Sequence, residues 1–165
     1  MKFSAAMAGL AALSLPATAM AQDQRCIPQA QSEAVVAYLL PDMLESAGER
    51  CARQIGRDSY LPANATYLAD TMRPLAQESW PQAKRGLETA FNSELPDDPN
   101  ILAFGRQAIA DGITKDLDED ACGAVSDLSQ ELAPLPPRNF ANVFALFLRL
   151  GLNGSQDTDL RICEG

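Results

Sequence analysis

Cys26, Cys51, Cys122 and Cys163 are the four cysteines of a 165-residue chain that contains no histidine. Their spacing excludes most of what cysteine can do. None forms a C-x-x-C pair, and a four-cysteine zinc site normally uses close pairs. Without histidine there is no mixed Cys/His metal site, no Ser-His-Asp or Cys-His machinery, and no histidine-based pH sensing. An even number of thiols in an exported chain reads as a disulfide framework, here two bridges. Sequential pairing, Cys26–Cys51 and Cys122–Cys163, is the favoured expectation. It closes loops of 25 and 41 residues, worth roughly 3.5 and 4 kcal/mol in a chain-entropy account. The first pair has a geometric difficulty. If residues 30–55 form one straight helix, its ends lie roughly 35 Å apart, whereas a bridge tolerates about 4.4–6.8 Å between Cα atoms. Cys26–Cys51 therefore demands a sharp bend, near Pro41 or Ala47-Gly48. The alternative is Cys26–Cys163 with Cys51–Cys122.

The remaining reactive vocabulary is carboxylates, Lys84, Lys115, tyrosines and arginines. Two carboxylates can hydrolyse a glycosidic bond, and Glu78, Glu88 or Glu94 with Asp97 could be paired for that purpose. Nothing marks them apart from ordinary surface acids, so no residue is assigned a catalytic role and no cofactor is expected. Asp116, Asp118 and Asp120 match the first three ligands of a calcium loop of D-x-D-x-D type. The match then breaks down: Ala121 stands where a glycine must turn the chain, and Asp127 stands where a bidentate glutamate belongs. The better reading of Asp116-Leu117-Asp118-Glu119 is an acidic capping box at a helix start.

The redox compartment follows from the first residues. Lys2 is followed by an uncharged apolar run, residues 5–15, then Pro16, then Ala19-Met20-Ala21. This is the three-part pattern of a secretory signal cut after Ala21. The 11-residue run is too short to cross a bilayer, which takes about 20 residues. A lipid anchor at Cys26 is excluded, because Asp23-Gln24-Arg25 occupies the place of the small residues that precede an acylated cysteine. Asn64-Ala65-Thr66 and Asn153-Gly154-Ser155 match glycosylation acceptors only formally, since the short alanine-rich signal has a bacterial character. Removal of residues 1–21 leaves 144 residues, enough for one domain with a real core. It also removes Lys2, so the formal balance moves from −9 to −10. A protein this acidic should repel nucleic acid and anionic membranes and attract cations or basic proteins.

The elements that position these residues are helical. β-branched residues are sparse, and Ala, Leu, Gln, Glu and Arg fill the stretches between Pro, Gly and Asn breaks. Val35, Val36, Leu39, Leu40, Met43 and Leu44 define a first helix over 29–55, kinked at Pro41. A second is expected over 65–80 with Asn64 as its cap, and a third from Pro81 to Phe91. Asp98-Pro99 starts a fourth that carries Ile101, Leu102, Phe104, Ala108 and Ile109 and ends near Gly112. A fifth runs to about Leu132. The Pro134–Pro137 turn leads to the last, about 138–151. Phe140, Val143, Phe144, Phe147 and Leu148 share one face there, which predicts the central core helix. A polar tail from about residue 153 is held by Cys163.

The expectation is an all-α, compact bundle of five or six helices stapled by two disulfides, a single domain over 22–165. Functionally it reads as an exported, periplasmic or secreted, non-catalytic binding module. The sharpest version is an inhibitor or immunity-type protein for a basic partner. A carrier of a small apolar ligand, lined by Trp80, Phe140, Phe144 and Phe147, is the alternative. A carboxylate-based hydrolase or lyase comes third. No motif ties the chain to a particular family, and its partner and oligomeric state are left open.

Overall fold

A buried central helix organises the molecule. The computed structural model describes residues 26–154 and 161–163. The expected signal, residues 1–21, and most of the polar tail lie outside them. The order is β1 (Cys26–Pro28), α1 (Gln29–Gln54), α2 (Tyr60–Phe91), α3 (Pro99–Thr114), α4 (Glu119–Leu132), α5 (Pro137–Gly154) and β2 (Arg161–Cys163). The described residues thus form an all-α fold of five helices, with one two-stranded parallel pair joining the ends. None of these helices is long and apolar enough to cross a membrane.

α1 is apolar on more than one side, so it can take neighbours all round. Every residue from Val36 to Leu44 is buried. One face packs Leu40, Leu44 and Ala47 against Leu61, Leu68 and Met72 of α2, and against Phe140 of α5. The other packs Tyr38, Leu39 and Met43 against Ala83 and Leu87 of α2 and Ala110 of α3. The central position expected for the last helix belongs to α1. In α5 Phe140, Ala141 and Ala145 are buried, while Leu146 and Phe147 face outward. An apolar stripe shows that one face is covered, not that the helix is surrounded.

α1 and α2 form a long helical hairpin. A turn through Gly56, at φ 89°, joins them, and the Ser59 hydroxyl donates to the Ile55 carbonyl at 2.7 Å. α2 runs unbroken through Pro74 and Pro81, where the sequence reading placed two helices. Each proline removes one backbone donor, but Leu68, Met72, Leu75, Ala83 and Leu87 stay buried in register on either side. Tertiary packing outweighs the local defect. Ser59 takes the cap position instead of Asn64, whose side-chain amide donates to the Tyr60 carbonyl one turn back. The hairpin closes tightly at two glycines. A Cβ on Gly48 would meet the Ala65 Cβ, and one on Gly86 would meet Val35 and the Gln31 carbonyl. Arg73 ties the helices on the outside, with 2.8 Å contacts to Glu45 and Asp70.

The α3 cap follows its sequence signal, while the α4 cap falls two residues past the Asp116 of the expected capping box, because the helix begins only at Glu119. Asp98 accepts from the Asn100 and Ile101 amides, with Pro99 in the first turn. Asp118 accepts from the Ala121 amide and so caps α4.

The disulfides join Cys26 to Cys163 and Cys51 to Cys122. This corrects the favoured pairing, Cys26–Cys51 with Cys122–Cys163. α1 does not bend enough to bring its ends together. Cys26 precedes its first turn and Cys51 lies in its last, about 35 Å away at 1.5 Å per residue. Cys51 instead meets Cys122 in the first turn of α4, both fully buried. Cys26 and Cys163 join β1 to β2, where Ile27 pairs with Ile162. The two bridges span 137 and 71 residues, longer loops than expected and so a larger entropic contribution, about 5 and 4.4 kcal/mol. Their presence is consistent with an oxidising location.

Candidate functional site

The clearest concavity with an apolar lining lies where α1, the second half of α2, the 92–98 loop and α3 meet. Trp80 and Leu87 come from α2, Tyr38 and Leu39 from α1, Leu95 from the loop, and Leu102 and Ile109 from α3. The space is about 240 Å³ and opens to solvent on one side. α3 holds this wall in place by a polar clamp to α1. The Ser46 hydroxyl donates to Asp111 Oδ1 at 2.7 Å and lies 2.7 Å from the Thr114 hydroxyl. Gln107 donates to the same Asp111 oxygen at 2.9 Å.

The floor of the groove is a tilted aromatic pair. The Trp80 and Tyr38 rings lie 4.7 Å apart, centroid to centroid. The Arg106 guanidinium sits 5.2 Å above the Tyr38 ring, within cation–π range. Behind it is Asp42, a carboxylate in the buried stretch of α1. Arg106 Nε and Asp42 Oδ2 are 3.4 Å apart, an ion pair without hydrogen-bond geometry, and neither atom has a hydrogen-bond partner in the protein. Burial holds the Tyr38 phenol above the ordinary tyrosine range, with the nearby Arg106 charge opposing it.

The mouth is apolar as well. Phe91 is 56 % exposed and Ile101 54 % at its edge, whereas Phe104, 75 % exposed, lies outside the lining on the far side of α3 from Leu102. Ile101, Phe104 and Ala108 follow i, i+3, i+7 spacing and form an outward stripe on α3. The loop that closes one end, 92–98, carries Glu94, Asp97 and Asp98 and no base. Lys84 lies over this end, 2.6 Å from Asp97 and 3.9 Å from Glu88. Its hydrogen bond to Asp97 holds the ammonium above the usual lysine range, against a smaller opposing effect of desolvation.

Of the ligand-lining candidates named from sequence, only Trp80 is in this groove. It lies inside α2, not at a junction between two helices. Phe140 is fully buried between α1 and α2, and Phe144 stacks on it at 5.2 Å. Phe147 is exposed on α5. The three phenylalanines do not join Trp80 in one cavity. Among the acids, Glu88 accepts from the Leu95 amide and shares Lys84 with Asp97. Glu78 pairs with Arg138 on another face, at 3.2 Å. Asp116, Asp118 and Asp120 are not gathered into a calcium loop: α4 begins at Glu119, and the Asp118 carboxylate is used as its cap. Among the described residues no three acids or cysteines are placed to hold a metal ion.

Sequence reasoning missed Tyr38, Arg106, Leu87 and Leu95 as neighbours of Trp80. The signal within reach was α3, whose apolar residues cover two faces. Leu102, Ile109 and Ala110 pack inward while Ile101 and Phe104 remain uncovered. The fold and this groove define a disulfide-braced all-α chain with an aromatic-floored apolar cleft. No family model, no curated protein and no solved structure matches the chain.

Proposed function

We propose that the protein is a non-catalytic binding module that docks a basic protein partner, in the manner of an inhibitor or immunity protein. The observation that carries this reading is a set of exposed apolar side chains, Phe91 and Ile101 in the lining of the groove and Phe104 farther round α3, with the acidic 92–98 loop nearby. Exposed apolar clusters rimmed by charge are a mark of protein-binding surfaces. The net charge of −9 would steer a basic partner to such a face. A small-molecule carrier fits less well. Ligand pockets generally offer about 300–1,000 Å³ and bury most of their ligand, whereas this groove is smaller and open. Catalysis has little support: the chain lacks histidine, and Glu88 and Asp97 both engage Lys84.

The setting we propose is the bacterial periplasm or the exterior, reached through residues 1–21 with cleavage after Ala21. The test is native mass spectrometry of the protein purified from a periplasm without reductant. The expected species is the mature chain, four hydrogens light for two disulfides, carrying a protein-sized increment that rising salt removes. A lipid-sized increment instead would overturn the reading in favour of the carrier.

A further inference from the structure

The loop that joins α2 to α3, residues 92–98, is the longest connection between helices among the described residues, seven residues against four or five elsewhere. Six of the seven are exposed, and Leu95 is half-buried. Of the glutamates in the described residues, Glu94 alone lies outside a helix. We propose that this loop is a processing site: an endopeptidase selective for glutamate hydrolyses the Glu94–Leu95 bond and converts the chain into a two-chain molecule joined by both disulfides. Such processing is independent of the binding-module reading. Cutting a folded protein requires an exposed segment that can leave the surface. Residues 94–97 make no backbone–backbone hydrogen bond and are tied down by side-chain contacts, chiefly Glu88 to the Leu95 amide and Lys84 to Asp97. A cut after a helical glutamate would first have to break a turn of helix.

The fold is built to keep the product together. Cys26 and Cys51 precede the bond, and Cys122 and Cys163 follow it, so each bridge joins one fragment to the other. α3 and α5 pack chiefly on α1, and α4 on α2. The second fragment therefore stays on the hairpin, with Ala110 and Phe140 buried against it. The new terminus also has a partner in place. Hydrolysis adds one water across the C–N bond, leaving a carboxylate on Glu94 and an amine on Leu95 that is mostly protonated at neutral pH. That nitrogen already donates to Glu88 Oε1 at 3.1 Å. Lys84 is 3.9 Å from the same oxygen but 2.6 Å from Asp97, so Glu88 is left to accept from Leu95. The cut turns a hydrogen bond from a neutral amide into one from an ammonium, which is the stronger kind.

The test is limited digestion of the oxidised protein, under native conditions, with a glutamate-specific serine endopeptidase. The expected first internal cut follows Glu94. Without reductant the product is a single species one water heavier than the parent. With reductant it separates into two chains, the second beginning at Leu95. Its circular dichroism should match that of the intact protein. Glu94→Gln, a change at an exposed position, should slow this cut about a hundredfold or more, since the enzyme's pocket requires the charge. The nicked protein should unfold in urea close to the parental midpoint. Glu88→Gln should lower the midpoint of the nicked form more than that of the intact form, because only the nicked form carries the ammonium. A first cut at a helical glutamate, resistance of the loop, or an unchanged rate in Glu94→Gln would overturn the processing site. Loss of helical signal on cutting would overturn the two-chain product. An equal effect of Glu88→Gln on both forms would overturn the role given to Glu88.

Discussion

Gly48→Ala should destabilise the protein even though alanine is the better helix former. Gly48 lies inside α1, where the change to alanine is worth about 1 kcal/mol in intrinsic propensity. The position is also one where α1 and α2 approach closely. The added Cβ would fall on the Ala65 Cβ, with the Leu61 carbonyl oxygen next at 3.7 Å. Carbon atoms pack at about 3.5–4.0 Å, so the helices must part by more than an ångström. Neither group can swing away, since one is a methyl carbon fixed to the backbone and the other is backbone. Leu44, Leu61 and Leu68 sit in the same layer, all but fully buried, and would lose contact as the hairpin opened. Overpacking of this kind costs about 1–3 kcal/mol. We expect the upper part of that range here, because the obstruction is rigid, leaving a net loss of about 1–2 kcal/mol after the propensity gain. For a chain of this size that lowers Tm by about 3–8 °C. The assay is thermal and urea unfolding of Gly48→Ala, Ala65→Gly and the double variant, with disulfides intact. Ala65→Gly alone should lose about 1 kcal/mol of helix propensity. Combined with Gly48→Ala it removes the collision, so the double variant should be more stable than the sum of the singles implies, by 1 kcal/mol or more. A Gly48→Ala protein more stable than the parent, or strict additivity in the cycle, would refute the close-packing argument.

Three further outcomes follow from the groove and the bridges. Arg106→Met removes the counter-charge of the buried Asp42 carboxylate. It should cost about 2 kcal/mol in urea unfolding, below the usual figure for a buried pair because Arg106 is partly exposed. Adding Asp42→Asn should recover part of the loss, and parental stability in Arg106→Met would contradict the pairing. Under mild thiol treatment Cys26–Cys163 should open before Cys51–Cys122, because Cys26 is exposed and both cysteines of the second bridge are fully buried; alkylation and peptide mapping that found the reverse order would count against the burial pattern. Tyr38 should titrate above the ordinary tyrosine range, because burial disfavours its phenolate. The neutral phenol's contribution is then complete below pH about 10 and is lost as pH rises through the folded value. Tyr38→Phe should remove the last step of the tyrosinate absorbance titration and flatten the alkaline loss of stability; an unchanged titration would reject the assignment.

The features legible in the sequence are those set within one turn of helix. The Asp98 cap with Pro99 behind it and the acidic cap of α4 depend on side chains and amides two or three residues apart; the first stands where expected, and the second lies at Asp118, two residues past the Asp116 of the expected box. α1 was legible from its apolar spacing. What failed needed distant partners. Pro81 reads as the start of a new helix because the local loss of a donor is visible in sequence. The burial that outweighs it comes from Tyr38, Leu39 and Met43 of α1, about forty residues away. The groove was half legible for the same reason. Trp80 stands out as the sole tryptophan, but its neighbours come from three helices and a loop, and only the hairpin brings them together. The disulfide pairing shows how one such error propagates. Sequential pairing of Cys26 with Cys51 requires α1 to fold back on itself, near Pro41 or Ala47-Gly48. In the structure Pro41 is buried within a helix that runs on to Gln54. A rod of that length keeps its two cysteines apart, so each must find a partner from the later chain. Once α1 is known to be continuous, Cys26–Cys51 is geometrically closed. The choice then narrows to pairings across the fold, with the α4 start at Cys51 and β2 at Cys26.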